Sequence, residues 1–417
     1  MQRKLFSAVV AVLFICLSTV AAFAAAESDK DDYRLTQMLV VSRHNLRAPF
    51  VDDDALREIS TRDWQPKRAK RGELTAKGGL RETQMGQCFA RYLDAENFLP
   101  ANGIFAANEV RFYANSFERT VATAHYFAAG MMPAADVITE HALPFPGSDR
   151  VFLPGLSAAS PREISQIVAE LEQLVNLENI GKGTAAARKI TGEVLNFSAS
   201  PYAQKHKLQE IPVADFNVTV KNGSTKMTGA LVKAMRAADA LSLRYYEEPE
   251  NQAAFGKKLT FEQWQQIGAL KDLGIYSFYA LPTMSKVMAR PLLGVVREEL
   301  NVPERKFTFL CGHDTNIATI LSALRVKDFA LPQTIEPAAP IGSKIVIEKR
   351  RGNDGKDYVG VSLVYMSSED LRNGGTQAAD INPVIYPLRF EGLTANSAGL
   401  YSFDDFAERI NEVCGGK

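Results

Sequence analysis

Cysteine, histidine and tryptophan are scarce in this chain, and neither sign of charge is in excess. Its 417 residues include four Cys, five His and two Trp, and 48 Lys and Arg are matched by 48 Asp and Glu. A formal net charge of zero removes the long-range field that would gather nucleic acid or an anionic membrane surface, so neither is expected as a partner. His125 and His141 have no second ligand at zinc spacing, and His206 lies in the solvated run Lys205-His206-Lys207. No metal and no other cofactor is expected. Long apolar runs are also missing, apart from one that extends from Leu5 to about Val20. No later stretch approaches the ~20 apolar residues that span a bilayer. No internal repeat or low-complexity segment is present. A content of 46% hydrophobic and 23% charged residues specifies a folded chain of one large or two modest domains.

Arg3 and Lys4 precede the apolar run, and Ala22-Phe23-Ala24 and Ala24-Ala25-Ala26 follow it as small-residue cleavage sites. Residues 1–26 therefore read as a signal peptide, and the mature protein is expected to be periplasmic or secreted, without membrane attachment. Cys16 follows the bulky Ile15, which argues against a lipid anchor. Removing the peptide leaves Cys88, Cys311 and Cys414, an odd number, so at least one thiol is unpaired within the chain. Cys311 ends an apolar strand pattern and reads as a buried thiol. Cys88 and Cys414 could pair, and the sequence leaves that open, as it does the oligomeric state.

The order of elements points to an α/β fold. Leu35 to Ser42 and Val110 to Ala114 read as buried strands, and Met85, Cys88, Phe89 and Tyr92 recur at helical spacing between them. Ser116 is placed to cap a helix starting near Phe117. From Asp149 to Phe255 strand signals are few. Ser160-Pro161-Arg162-Glu163 is a capping box with Pro at the first helical position, and a second helix is expected from Gly229 to Glu247. This region reads as an inserted all-α domain, 149–255, between catalytic segments 27–148 and 256–417. Helices resume at Phe261–Leu273 and at Thr283–Leu300, where Pro291 is expected to introduce a kink. A strand over Phe307–Cys311, a helix over Asn316–Leu324 and an antiparallel hairpin of Ser343–Arg350 with Tyr358–Tyr365 complete the pattern.

Chemistry concentrates at three strand ends. Ser42-Arg43-His44-Asn45-Leu46-Arg47-Ala48-Pro49 follows the first strand, at the edge where open α/β sheets bind ligands. Two guanidinium forks suit phosphate oxygens, and their charge disfavours protonation of His44, leaving a nucleophilic imidazole. Asn115-Ser116-Phe117-Glu118-Arg119-Thr120 brings another arginine to the same edge. Cys311-Gly312-His313-Asp314-Thr315-Asn316 offers an imidazole and a carboxyl group ahead of a helix whose first amides suit an anion. Arg-His-x-x-Arg-x-Pro alone arises by chance in roughly a few chains per thousand of this length. Together, the three motifs are far more specific.

The arrangement resembles the histidine acid phosphatases, whose hallmarks are Arg-His-Gly-x-Arg-x-Pro near the mature N-terminus and His-Asp late in the chain. More narrowly it is similar to the bacterial periplasmic glucose-1-phosphatases, which carry Asn at the Gly position, as Asn45 does. Leu74 to Gly79, Arg119 to Ala124, Ala289-Arg290-Pro291-Leu292, Pro340-Ile341-Gly342 and Leu371-Arg372-Asn373 extend the likeness over most of the mature chain. It is weakest in the inserted domain. The resemblance implies a phosphoglycerate-mutase-like α/β domain with a mixed sheet. It also implies a phosphomonoesterase that works without metal, with His44 as nucleophile and Asp314 as proton donor and later acceptor. Arg43, Arg47, Arg119 and His313 would grip the phosphate. Asn45, Asp149 and Asp239 are candidate substrate contacts, although Arg150 stands where relatives carry Pro in the Asp149 stretch.

Glucose 1-phosphate is the first expected substrate, with phytate as a second. A dedicated phytase is the alternative that Lys67-Arg68-Ala69-Lys70-Arg71 favours if those residues form a basic rim. An exported phosphate-binding protein without chemistry would need the arginines but not His44 or the His313-Asp314 pair. A phosphotransferase or mutase would share the phosphohistidine but needs acceptors that are scarce outside the cytoplasm. The glycosylation sequons at Asn196, Asn217 and Asn222 read as coincidence.

Overall fold

The computed structural model describes residues 32–50, 53–64, 69–100, 103–174, 176–221, 224–274 and 278–415. The signal peptide read at 1–26 lies outside them, as do Lys67 and Arg68 of the basic run. The strands are β1 (Tyr33–Arg43), β2 (Val110–Ala114), β3 (Thr139–Glu140), β4 (Asn217–Lys221), β5 (Ser224–Thr228), β6 (Phe307–Gly312), β7 (Lys344–Gly352), β8 (Asp357–Tyr365), β9 (Val384–Pro387) and β10 (Tyr401–Ser402). All but β4 and β5 form one sheet in the order β10-β8-β7-β1-β6-β2-β3, with β9 beside β8. β1, β6, β2 and β3 run parallel, whereas β7, β8, β9 and β10 add antiparallel strands.

Side-chain alternation along β1 explains why the sheet is covered on both faces. Met38 and Val40 join one core with Phe112, Phe307 and Phe309. Leu39 and Val41 point the other way, into a second core with Leu292, Leu310 and Ile317. Helices Ala76–Ala95 and Glu118–Met131 cover the first face, and Phe127 stacks on Phe309 at 4.3 Å. Helices Pro282–Leu300, Asp314–Ala323 and Phe403–Cys414 cover the second. Each large apolar side chain so buried stabilises the fold by about 1.5–3 kcal/mol. Pro291 sits inside its helix, which continues to Leu300. The thiols of Cys88, Cys311 and Cys414 are free. Cys88 belongs to the first core and Cys414 packs against the second, so the pairing left open by the sequence does not form.

Among the described residues between Leu156 and Ala253, no strand joins the large sheet. The capping box forms, with Glu163 accepting from the Ser160 amide at 2.7 Å and Ser160 Oγ accepting from the Glu163 amide at 3.3 Å. The second helix spans Ala230–Glu247. Among these helices lies a hairpin, β4–β5, where helices alone were expected. Val218 and Val220, followed by the Asn222-Gly223 pair, are its sequence signal. Ser116 does not cap. The helix starts at Glu118, and the Ser116 hydroxyl instead donates to the Ala142 carbonyl at 2.7 Å. Among the described residues no helix is long and apolar enough to cross a membrane.

Candidate active site

Sheet register levels the three motifs. Ser42 and Ala114 both pair with Cys311, and Arg43 pairs with Gly312, so β1, β2 and β6 end side by side. The His44 amide donates to the Gly312 carbonyl at 3.0 Å and the Asn115 amide to that of Cys311 at 2.9 Å. Two glycines allow the close approach. A Cβ on Gly312 would lie 2.4 Å from Asn316 Oδ1, the atom that accepts the His313 amide at 2.9 Å. A Cβ on Gly78 would lie 2.4 Å from the Leu46 carbonyl oxygen, where the capped start of helix Ala76–Ala95 abuts the Arg-His loop.

His44 is buried, and its Nδ1 lies 2.8 Å from its neighbour's carbonyl oxygen, that of Asn45. A carbonyl only accepts, so Nδ1 carries the hydrogen and the lone pair is on Nε2. Burial, then Arg119, His313, Arg47 and Arg43, pull its pKa well below the ordinary histidine value. The direction matches the sequence reading, but desolvation outranks the flanking arginines as the cause.

Around this ring the cations crowd together. Arg119 stacks on Phe50 and Phe117, with its guanidinium carbon 4.8 and 4.7 Å from the ring centres, and Arg47 lies 3.8 Å from the centre of Phe50. Burial and then Arg47 lower the Arg119 pKa to about 10. Arg119 Nη2 is 3.3 Å from His313 Nδ1. Burial, then Arg119, hold His313 down to about 3. The buried Nε atoms of Arg43, Arg47 and Arg119 have no hydrogen-bond partner among the described residues. Such an arrangement is electrostatically uphill until an anion enters.

Asp314 sits at the N-terminus of its helix, 3.3 Å from Arg43 Nη2, with 22% of its side chain exposed. Burial pushes its pKa up but is outweighed by Arg43, Lys271, Arg47 and His313, which hold the carboxyl below its ordinary range. In the ligand-free site it is therefore an anion.

The three candidate substrate contacts fall differently. Asn45 spends its side chain internally: Nδ2 donates to Glu82 at 2.7 Å and Oδ1 accepts from the Leu46 amide at 2.8 Å. Glu82 is in turn paired with Lys344 at 2.8 Å. The Asp149 carboxylate accepts from the Tyr113 hydroxyl and the Val151 amide, which hold the loop. Asp239, on helix Ala230–Glu247, meets Arg47 Nη2 through both carboxylate oxygens at 3.1 and 3.0 Å. It alone of the three borders the cationic cage.

Sequence reasoning missed the support behind Arg43. Glu336 accepts from Arg43 at 3.5 Å, Lys271 at 2.9 Å and the Tyr246 hydroxyl at 3.1 Å, and Asp272 pairs with Lys271 at 3.2 Å. These residues are scattered in the chain and carry no local motif. Among the described residues no group of three or more His, Cys, Asp or Glu could hold a metal ion.

Residues 34–364 match the family described as histidine phosphatase superfamily (branch 2). The chain is 31% identical over 408 residues to the glucose-1-phosphatase of Providencia rettgeri, covering 95% of this chain and 97% of that one. It is 25% identical over 423 residues to Phytase AppA of Escherichia coli, covering 96% of each. The Hafnia alvei phytase in complex with myo-inositol hexakis sulphate superimposes with a TM-score of 0.83, at 24% identity, over 92% of this chain and 98% of that one.

Proposed function

Because this chain belongs to the histidine phosphatase superfamily (branch 2) and is a phosphomonoesterase of the histidine acid phosphatase type, we propose that His44 attacks the phosphorus of glucose 1-phosphate. The observation that carries this reading is the His44 tautomer. With the Nδ1 hydrogen held by the Asn45 carbonyl, the Nε2 lone pair is left among Arg43, Arg47 and Arg119.

Nε2 forms an N–P bond as the bond from phosphorus to the sugar oxygen breaks. Asp314 gives its proton to that oxygen. Water then attacks the phosphohistidine, Asp314 takes a proton from it, and phosphate and His44 are regenerated. The arginines neutralise charge that builds on the three equatorial oxygens, and neutral His313 is a hydrogen-bonding partner beside them. Asp314 is ionised among these cations, so the substrate itself must supply the shift. A phosphate ester of charge near −2 beside the carboxylate opposes the arginines and raises its pKa, which couples protonation of the acid to binding.

Glucose 1-phosphate leads because the glucose-1-phosphatases of Providencia rettgeri and Salmonella typhimurium are 31% and 30% identical to this chain, and Asn45 carries the resemblance to that subgroup. Phytate is the second reading. Of the basic run behind it, Lys70 and Arg71 are described, and Lys70 pairs loosely with Glu73, at 3.9 Å. Residues 149–255 form the inserted unit that lends Asp239 to the site, and export follows from the N-terminal pattern.

Rapid quenching with ³²P-labelled glucose 1-phosphate tests the mechanism. The wild type should carry acid-labile, alkali-stable label that His44→Ala lacks. Label retained by His44→Ala overturns the nucleophile, and phosphate binding without turnover of any ester returns the chain to a binding protein.

A further inference from the structure

Behind the nucleophile lies a charged pair that none of the three strand-end motifs contains. Glu82, on helix Ala76–Ala95, and Lys344, the first residue of β7, are both fully buried. Glu82 Oε1 lies 2.8 Å from Lys344 Nζ, an ion pair without the alignment of a hydrogen bond. The Lys344 ammonium donates to the Gly342 carbonyl at 2.8 Å and sits 5.5 and 5.9 Å from the ring centres of Phe127 and Phe309. In so apolar a setting an ion pair is a poor source of stability, since apolar residues of similar volume often serve as well or better. What this pair does hold is Asn45, whose Nδ2 donates to Glu82 Oε2 at 2.7 Å. The rest of Asn45 is equally committed. Oδ1 accepts from the Leu46 amide at 2.8 Å, the backbone amide donates to Thr123 Oγ1 at 3.1 Å, and the carbonyl accepts from His44 Nδ1 at 2.8 Å. Gly342, at φ +70°, packs so closely that a Cβ there would lie 2.7 Å from Asn45 Nδ2, and its amide donates to the His44 carbonyl at 3.3 Å.

We propose that Glu82 and Lys344 are positioning residues for the nucleophile, a buried pair that fixes the Asn45 carboxamide and through it the carbonyl that orients the His44 ring. This rests on the phosphoryl-transfer reading of the site. Neither residue touches substrate. Lys344 anchors one carboxylate oxygen of Glu82 to the start of β7, which leaves the other facing Asn45. Glu82 takes the Asn45 NH₂ group, which leaves Oδ1 for the Leu46 amide and sets the plane of the peptide between them. The hydrogen bond that His44 makes at Nδ1 decides which nitrogen keeps the lone pair and where it points. A ring aimed by a carbonyl is only as well placed as that carbonyl, and a displacement on the order of 1 Å costs about a hundredfold in rate.

Removing one partner alone would strand a buried charge, so the two are changed together. Glu82→Leu with Lys344→Met removes both charges and the acceptor for Asn45. Glu82→Gln with Lys344→Met removes both charges but keeps an oxygen for Asn45 Nδ2. The first pair should lose about 10–100-fold in kcat for glucose 1-phosphate and in the rate of phosphoenzyme formation. Inhibition by inorganic phosphate should hardly change, because Arg43, Arg47 and Arg119 remain. The second pair should recover most of the loss. A merely structural role would shift the urea midpoint of both variants and leave kcat of the folded protein alone. A folded Leu/Met variant with wild-type kcat overturns the proposal, and so does an equal loss in both pairs. Asn45→Ala leaves the ion pair in place and should show the same loss of kcat. Wild-type kcat in Asn45→Ala overturns the proposal even if neither paired variant folds.

Nitrogen-15 NMR of histidine-labelled, ligand-free protein, assigned with His44→Gln, separates this inference from the reading it rests on. The wild type should show His44 protonated at Nδ1, and Glu82→Leu with Lys344→Met should show a mixture of the two tautomers. If the wild type hydrolyses no ester but the variant shows that mixture, the phosphatase reading fails and the positioning role stands. If the wild type turns over ester while the variant keeps the single Nδ1–H form and full kcat, the positioning role alone is overturned.

Discussion

Burying two uncharged histidines among arginines should make the ligand-free protein sensitive to mild acid in a way that one substitution isolates. The His313 side chain is buried and its pKa lies at about 3, against 6.5 for a free histidine, with burial and then Arg119 as causes. Between those values the unfolded chain binds a proton that the folded chain refuses. Stability therefore rises with pH across this window, by about 1.4 kcal/mol per pH unit for each such group. At pH 4.5, two units below the free value, His313 alone should cost roughly 3 kcal/mol relative to neutral pH. Its contribution is flat above pH 6.5 and flattens again below about 3. His44 is shifted in the same direction and adds to the same slope. Asp314, held low, loses its stabilising effect only as pH falls below the ordinary carboxylate value. Urea unfolding from pH 4.5 to 7.5 should therefore give His313→Asn a shallower pH dependence than the wild type, by about one proton's worth. Inorganic phosphate should flatten the wild-type curve, because the bound anion raises the folded-state pKa of His313. Parallel curves for wild type and variant would refute the assignment of a buried, neutral His313.

Other substitutions probe the rest of the site. Asp314→Asn should slow release of a sugar alcohol by about 10²–10⁴-fold and release of a nitrophenol far less, because only the poor leaving group needs the proton; equal losses would reject the acid role. Asp239→Asn removes one of the two acceptor oxygens that hold Arg47, together with the negative charge. It should lower KM for phytate more than for glucose 1-phosphate, since a negative charge leaves the edge of the cage; steady-state kinetics on both substrates check this. Gly312→Ala must displace Asn316 Oδ1 at 2.4 Å and Phe152 at 2.9 Å. A loss of about 1–3 kcal/mol in urea unfolding, with reduced kcat, is expected.

Much of the candidate site was legible because its members are neighbours in the chain. Arg43, His44 and Arg47 span five positions, and His313 and Asp314 are adjacent, each set at a strand end that alternation and length reveal. The alternation of strands and helices was read from the sequence, but the parallel register of β1, β6 and β2 that levels the motifs came only with the fold. Local capping rules worked where the cap was next to its helix, as at Ser160. They failed at Ser116, where a tertiary acceptor, the Ala142 carbonyl, claimed the hydroxyl. The β4–β5 hairpin was missed because its Asn-Gly pair was weighed only as part of a sequon.

By itself, the sequence determined the alternation of strands and helices and the candidate residues for attacking, gripping and protonating a phosphate ester. These follow from periodicity and from side-chain chemistry, properties that short segments carry with them. The tertiary structure decided what each of those residues faces. It placed Asp239 on Arg47, Glu336 and Lys271 behind Arg43, and Asn115 on His313, across separations of up to 293 residues. It also turned Asn45 and Asp149 inward. Protonation states, tautomers and the direction in which a carboxylate points depend on desolvation and on through-space partners. Neither quantity exists until the chain is packed.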